Sequence, residues 1–269
     1  MLDKALISAF NWWDVSGVDM PTLPSPAKTR RPAKANARTS QKAAQHTQGA
    51  SRLNTPSEQA PVRPQNQAQQ EDKAARIALA KKLAKSAKSL GELQSLISQF
   101  DAGYLSDGAR QSVFAKGNPQ SDLMIIGEAP SREDDVSGQP FTGQQGALLE
   151  KMMAAIGLTA SQYYVTNFLF WHPAHNRQAD TTDRAVGKAF TLAHIELLAP
   201  KFILLMGNLA LEGLTGKSGI MKERGQWAEI KTASQTFASL PVFHPSLLLR
   251  QPALKRDMWR DLISLREKL

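Results

Sequence analysis

Residues 122 to 135 read DLMIIGEAPSREDD: four large apolar side chains, a glycine, then a loop carrying the carboxylates Glu128, Glu133, Asp134 and Asp135. A short unbroken apolar run of this kind fits a strand buried on both faces, because successive side chains point to opposite sides of a sheet. Three more runs share the character: YYVTNFL at 163 to 169, KFILLMG at 201 to 207 and SLPVFH at 239 to 244. Between them lie helical patterns, GALLEKMMAAIG at 146 to 157, RAVGKAFTLAHIELLA at 184 to 199 and NLALEGLTG at 208 to 216. Alternation of buried strands with helices predicts an α/β fold around a parallel sheet with both faces covered. Ligands of such sheets bind beyond the carboxyl ends of the strands. Three of the four runs end in chemically loaded positions: GEAPSREDD after the first, Asn167 near the end of the second, and HPSLLLRQP after the fourth.

Working outward, EDKAARIALAKKLAKSAKSLGELQSLISQF predicts two helices broken near Ser89, with apolar stripes at Ile77, Leu79 and Leu83 and at Leu90, Leu93, Leu96 and Ile97. The 50 residues before it differ sharply. Between Pro21 and Gln70 stand eight Lys or Arg against the single acid Glu58, which accounts for seven of the chain's nine net positive charges. That stretch is rich in Pro, Ala, Gln and Ser and poor in large apolar residues, so it predicts a disordered basic linker at 21–70, either a spacer or an electrostatic tether to nucleic acid. Ahead of it, Leu2, Ala5, Leu6 and Phe10 follow helical spacing and predict a short helix within 1–20. The folded unit is expected at 71–269.

Composition excludes much chemistry. With 269 residues, of which 42% are hydrophobic, the chain supports one good core. The absence of cysteine rules out disulfides, thiol nucleophiles and cysteine-ligated zinc or iron–sulfur centres. No apolar run of 18 residues and no basic-then-apolar leader are seen, so a soluble, intracellular protein with no membrane association is expected.

In order, GEAPSREDDVSGQPFTGQQGALLEKMMAAIGL, YYVTNFLFWHPAHNR, HIELLAPKFILLMGN, GIMKERGQW and VFHPSLLLRQPALKRDMW resemble the family-4 uracil-DNA glycosylases of bacteria, from about Leu90 to the C-terminus. The resemblance implies a three-layer α/β/α sandwich with a central four-stranded parallel sheet. It also implies hydrolysis of the N-glycosidic bond of deoxyuridine in DNA, the first step of base excision repair, by a monomer of the bacterial cytoplasm and nucleoid.

The same resemblance supplies roles for individual residues. Phe141 matches the aromatic that stacks on a flipped base; read alone, it could equally be a core residue. Asn167 matches the amide that distinguishes uracil from cytosine, and is otherwise a turn former. His244 matches the donor to uracil O2, where negative charge grows as the bond breaks. Glu128 matches the acid that orients the attacking water or stabilises the cationic sugar; its plain alternative is a helix-dipole contact. Ala129 and Asp134 fall at positions lining the base pocket. Ser246, Leu247, Leu248, Leu249 and Arg250 resemble a minor-groove loop that wedges into DNA, although three leucines could also be core.

The chain departs from the family pattern in one respect above all. Typical members hold a four-iron four-sulfur cluster through four cysteines, and the matching positions here are Phe100, Gly103, Trp171 and Gly187. No cofactor and no metal are therefore expected, with apolar packing around Phe100 and Trp171 in the cluster's place. Ser131, Thr142, His172 and His175 also differ from the usual residues. Two rival readings stand beside the main one: an inactive damage-binding or adaptor module, and a glycosylase for another deaminated base such as hypoxanthine.

Overall fold

The structure, a computed structural model, describes residues 65–174 and 177–269. The expected N-terminal helix and nearly all of the basic linker lie outside these residues. The first described element, α1 (Gln65–Ser86), begins inside the stretch 21–70 expected to be linker. It is followed by α2 (Leu90–Gln99), whose first turn is capped by Ser89: its hydroxyl accepts from the Glu92 amide at 3.2 Å.

The four apolar runs form the strands β2 (Leu123–Gly127), β3 (Tyr163–Asn167), β4 (Phe202–Met206) and β6 (Thr236–Val242). They lie side by side in the order β3-β2-β4-β6, all parallel. The sheet has six strands rather than four, because β1 (Ala115–Gly117) and β5 (Ala228–Lys231) add antiparallel edges beside β3 and β6. Both extra strands are too short to show a period, and neither has the continuous apolar character that burial on two faces imposes.

Side chains alternate between two apolar layers. Met124 and Ile126 face a core completed by α1, α2, α5 (Thr181–Leu198) and α6 (Asn208–Thr215). Leu123 and Ile125 face a second core completed by α4 (Gly143–Ala155), α8 (Pro245–Arg250) and α9 (Lys255–Arg266). The short α3 (Arg132–Ser137) and α7 (Ile220–Glu223) shape loops at the sheet's rim. The molecule is thus the expected α/β/α sandwich. No helix among the described residues is long and apolar enough to cross a membrane.

One polar group is sealed into the first core. His194 of α5 is fully buried, stacked on Phe114 with ring centroids 4.4 Å apart, and its Nε2 is 3.0 Å from the Tyr164 hydroxyl. Burial pushes its pKa down to about 3. The folded protein therefore refuses a proton that the unfolded chain takes up near 6.5. The stability this contributes is present above the unfolded value and is lost as pH falls toward the folded one. Between pH 6.5 and 3, His194→Phe should flatten the pH slope of the unfolding free energy by about 1.4 kcal/mol per pH unit, the worth of one proton. Urea titrations at a series of pH values check this; an unchanged slope would show that His194 is not the group that titrates.

Candidate active site

The carboxyl ends of β2, β3, β4 and β6 bring their loops to one edge of the sheet. Gly127 closes β2 opposite Asn167 in register, and it meets two of the sequence-selected side chains. A Cβ built on Gly127 would lie 2.6 Å from Cζ of Phe141 and would also overlap Oδ1 of Asn167. The bare strand end is what lets the ring and the amide approach each other. Asn167 is 1% exposed, and its Nδ2 is buried with no hydrogen-bond partner among the described residues. Leaving such a donor unmade costs about 1–3 kcal/mol, so it is an unusual thing to find at the end of a well-packed strand.

Phe141 sits beside that amide in a left-handed backbone conformation, φ +54°. A non-glycine residue there carries strain of order 1–3 kcal/mol and persists only where its surroundings hold it. Several groups do so. Asp134 Oδ1 accepts from the amide and the hydroxyl of Thr142, at 2.7 and 2.6 Å. Its Oδ2 accepts from the Ser131 amide at 2.9 Å, completing a capping box at the start of α3. On the other side the Lys116 ammonium donates to the Phe141 carbonyl at 2.8 Å, and a Cβ on Gly146 would overlap that same carbonyl.

Glu128 follows Gly127 and reaches across to the next strand's loop. Its Oε1 accepts from the Leu209 amide at 3.0 Å, in the first turn of α6. Gly207, φ +101°, makes room: a Cβ there would lie 2.6 Å from Oε1. A dipole contact is thus present, but with α6 rather than with the helix that follows Glu128 in sequence. Those first-turn positions of α3 are held by Glu133, Asp134 and Asp135; Asp135 is buried and accepts from the Arg110 amide at 2.9 Å.

His244 ends the β6 run and caps α8. Its Nδ1 accepts from the Ser246 amide at 3.3 Å and lies 2.9 Å from the Ser246 hydroxyl. An amide can only donate, so Nδ1 is an acceptor and the neutral ring carries its proton on Nε2. Burial lowers the His244 pKa from 6.5, with Arg250 adding to the effect and the Glu128 and Asp134 carboxylates opposing it. The ring is 7% exposed and packs 5.6 Å from the Phe141 ring. Glu128, Phe141, Asn167 and His244, distant in sequence, are therefore gathered by Gly127, the Asp134 loop and the start of α8.

Other expected site residues fall differently. Ala129 is half-buried against the first core. Ser246 turns its hydroxyl to His244, and Leu247 packs half-buried against the second core. Leu248 was expected to contact DNA, but it is fully buried in that core. The six residues of α8 turn Pro245 and Leu248 inward, leaving Leu249 and Arg250 exposed, so Leu249 is the leucine that faces outward. His172 donates from Nδ1 to the Pro130 carbonyl at 2.8 Å, tying the loop after β3 to the loop after β2; His175 lies outside the described residues. Nothing in the sequence singles out Lys116 or the close approaches at Gly127 and Gly207, which depend on which backbones meet.

The chain belongs to the uracil DNA glycosylase superfamily, whose family model matches residues 114–263, and is by family a DNA glycosylase. It is 30% identical over 152 residues to a type-4 uracil-DNA glycosylase of Archaeoglobus fulgidus, covering 54% of this chain and 75% of that one. It is 31% identical over 154 residues to the type-4 uracil-DNA glycosylase of Thermotoga maritima, covering 56% and 79%. With that of Pyrobaculum aerophilum it shares 26% over 178 residues, 64% and 91% of the two chains.

The residues present do not fit the iron–sulfur cluster implied by the family-4 resemblance. None is a cysteine, and the four matching positions are taken up by packing. Phe100 lies 6.1 Å from Trp171 and 5.1 Å from Phe190, centroid to centroid. A Cβ on Gly103 would lie 2.6 Å from the Arg76 guanidinium, and one on Gly187 would lie 2.7 Å from Leu169. Trp171 is 4% exposed, so Trp171→Ala should remove a large buried ring and cost about 3–5 kcal/mol in unfolding free energy. Denaturant unfolding measures this; a loss below about 1 kcal/mol would show that the ring cluster does not bear the fold.

Proposed function

We propose that this chain hydrolyses the N-glycosidic bond between uracil and deoxyribose in DNA and so begins base excision repair. The observation that carries this reading is the buried Asn167 amide, with no partner for Nδ2 among the described residues, set against the Phe141 ring at the bare end of β2. A target base must leave the helix stack to be acted on, at a cost of a few kcal/mol. Phe141 then offers a face on which the base stacks. Asn167 donates to uracil O4 through Nδ2 and accepts from N3–H through Oδ1. Cytosine has a donor and an acceptor at the same two places, reversed, and is mismatched at both.

As the bond from N1 to C1′ breaks, the electron pair stays on the base and negative charge develops on N1 and O2. The neutral His244 donates from Nε2 toward O2, a preorganised donor of the sort worth about 2.7–4 kcal/mol in other enzymes. Glu128 supplies negative charge near the cationic sugar and orients a water whose oxygen bonds to C1′. The uracil anion takes up a proton as it departs. Asp134, with both oxygens engaged by the protein, acts by holding the Phe141 loop rather than by touching the base. Ala129 lines the pocket through its backbone. Leu249 and Arg250, exposed beside His244, face the DNA, and the basic segment 21–70 tethers the enzyme to phosphates as a monomer. No cofactor enters any step.

A single-turnover assay on uracil-containing oligonucleotides, read by strand cleavage at the abasic product, tests this. Wild type should release uracil. Asn167→Ala should lose about tenfold or more, since each mismatched buried contact costs about 1–3 kcal/mol, and should release no cytosine. Asn167→Asp should lose uracil cleavage and gain weak release of cytosine. Wild-type protein without activity, or an Asn167→Ala change below about twofold, would contradict the reading.

A further inference from the structure

We propose that Lys116 is a positioning residue for Phe141, an assignment that rests on the stacking role given to that ring above. Lys116 is the middle residue of β1, where it pairs in register with Val165 of β3. Its neighbour Ala115 packs against the first core, so alternation along the strand turns Lys116 to the opposite face, where Phe141 lies in the second core. There its ammonium donates to the Phe141 carbonyl at 2.8 Å. The bond spans 25 residues of sequence and joins an edge strand to the turn that carries the ring.

The contact falls on the peptide that follows the strained residue of the turn. Phe141 is one of two non-glycine residues with positive φ among the described residues, and a phenylalanine gains nothing locally from that conformation. Asp134 holds the residue after it through the Thr142 amide and hydroxyl. Gly146 leaves space for the carbonyl, because a Cβ there would overlap it. The peptide between Phe141 and Thr142 is thus held at both ends, its N–H by Asp134 and its C=O by Lys116, a charged donor, the stronger kind. With the N–H held by Asp134, the bond to the carbonyl locks the peptide plane and with it the direction of the ring toward Gly127, Asn167 and His244. The base platform is thus set from the edge strand beside β3, by a residue that does not itself meet the substrate.

The test is a double-mutant cycle with a spectroscopic arm. Lys116→Met keeps the aliphatic stem and removes the ammonium; Lys116→Arg restores a charged donor. In single-turnover uracil release, Lys116→Met should fall about tenfold, Lys116→Arg should recover much of the loss, and the thermal midpoint should stay within a few degrees of wild type. In a Phe141→Ala background the same Lys116→Met change should cost less than about twofold, since no ring remains to aim. Equal losses in both backgrounds, or no loss in either, overturn the proposal. The second arm needs no activity: in Lys116→Met the Phe141 13Cα shift and its amide-to-Hα coupling should leave their left-handed values. If they stay unchanged, the proposal fails whatever the substrate. A wild type that releases no uracil sinks the functional reading alone, and the spectra still decide the role of Lys116.

Discussion

The site depends on a missing side chain. Gly127 is the last residue of β2, its φ is not in the left-handed region, and any residue could adopt its backbone. What requires glycine is the space above it, shared by the Phe141 ring and the Asn167 amide. A flat ring and a buried amide edge lie together over a strand end, which is the arrangement the proposed reading assigns to a planar base with one acceptor and one donor. The neighbouring groups hold those two side chains in place: Asp134 and Lys116 hold the turn that carries Phe141, and the pairing of β2 with β3 continues past the strands through Phe168 and Leu169, whose amides donate to the Gly127 and Glu128 carbonyls at 2.9 and 3.0 Å.

Electrostatics divide the site into two halves. His244 is kept neutral by burial and its tautomer is set by the start of α8, which leaves a donor without a full positive charge. Glu128 is half-buried and spends one oxygen on α6. In the proposed reaction, a neutral donor suits charge that appears on the base, and a carboxylate suits charge that appears on the sugar. Both are positioned by backbone amides at helix starts, so neither needs to rearrange as charge moves.

Much of this was legible in the sequence, and the exceptions have physical causes. The central strands could be read because burial on both faces demands unbroken apolar runs such as Leu123 to Ile126, whereas AKG at β1 and AEIK at β5 are short edges under no such demand. Phe141, Asn167, Glu128 and His244 stood out by their motifs, and the fold gathers them. The leucines of α8 could not be sorted in advance, since which of them turns inward is fixed by the start of the helix at His244. Asp134 was recognisable as an acid near the pocket, but not that its two oxygens were already spent on Ser131 and Thr142. Lys116 carried no signal, because an ordinary lysine gains meaning only when an edge strand lays it beside a strained turn.

The ring cluster of Phe100, Trp171 and Phe190 lies in the first core, across the sheet from Phe141 in the second, so the positions that match the family's cluster ligands are filled by packing on the other face of the sheet. The pocket is where the account can be tested most directly. Gly127→Ala adds one methyl to a permitted backbone position and should lower uracil release by about a hundredfold or more, while the protein still unfolds cooperatively, at a midpoint lowered only by the roughly 1–3 kcal/mol that overpacking costs. A Gly127→Ala protein that releases uracil within about twofold of the wild-type rate would mean that the base does not bind between Phe141 and Asn167.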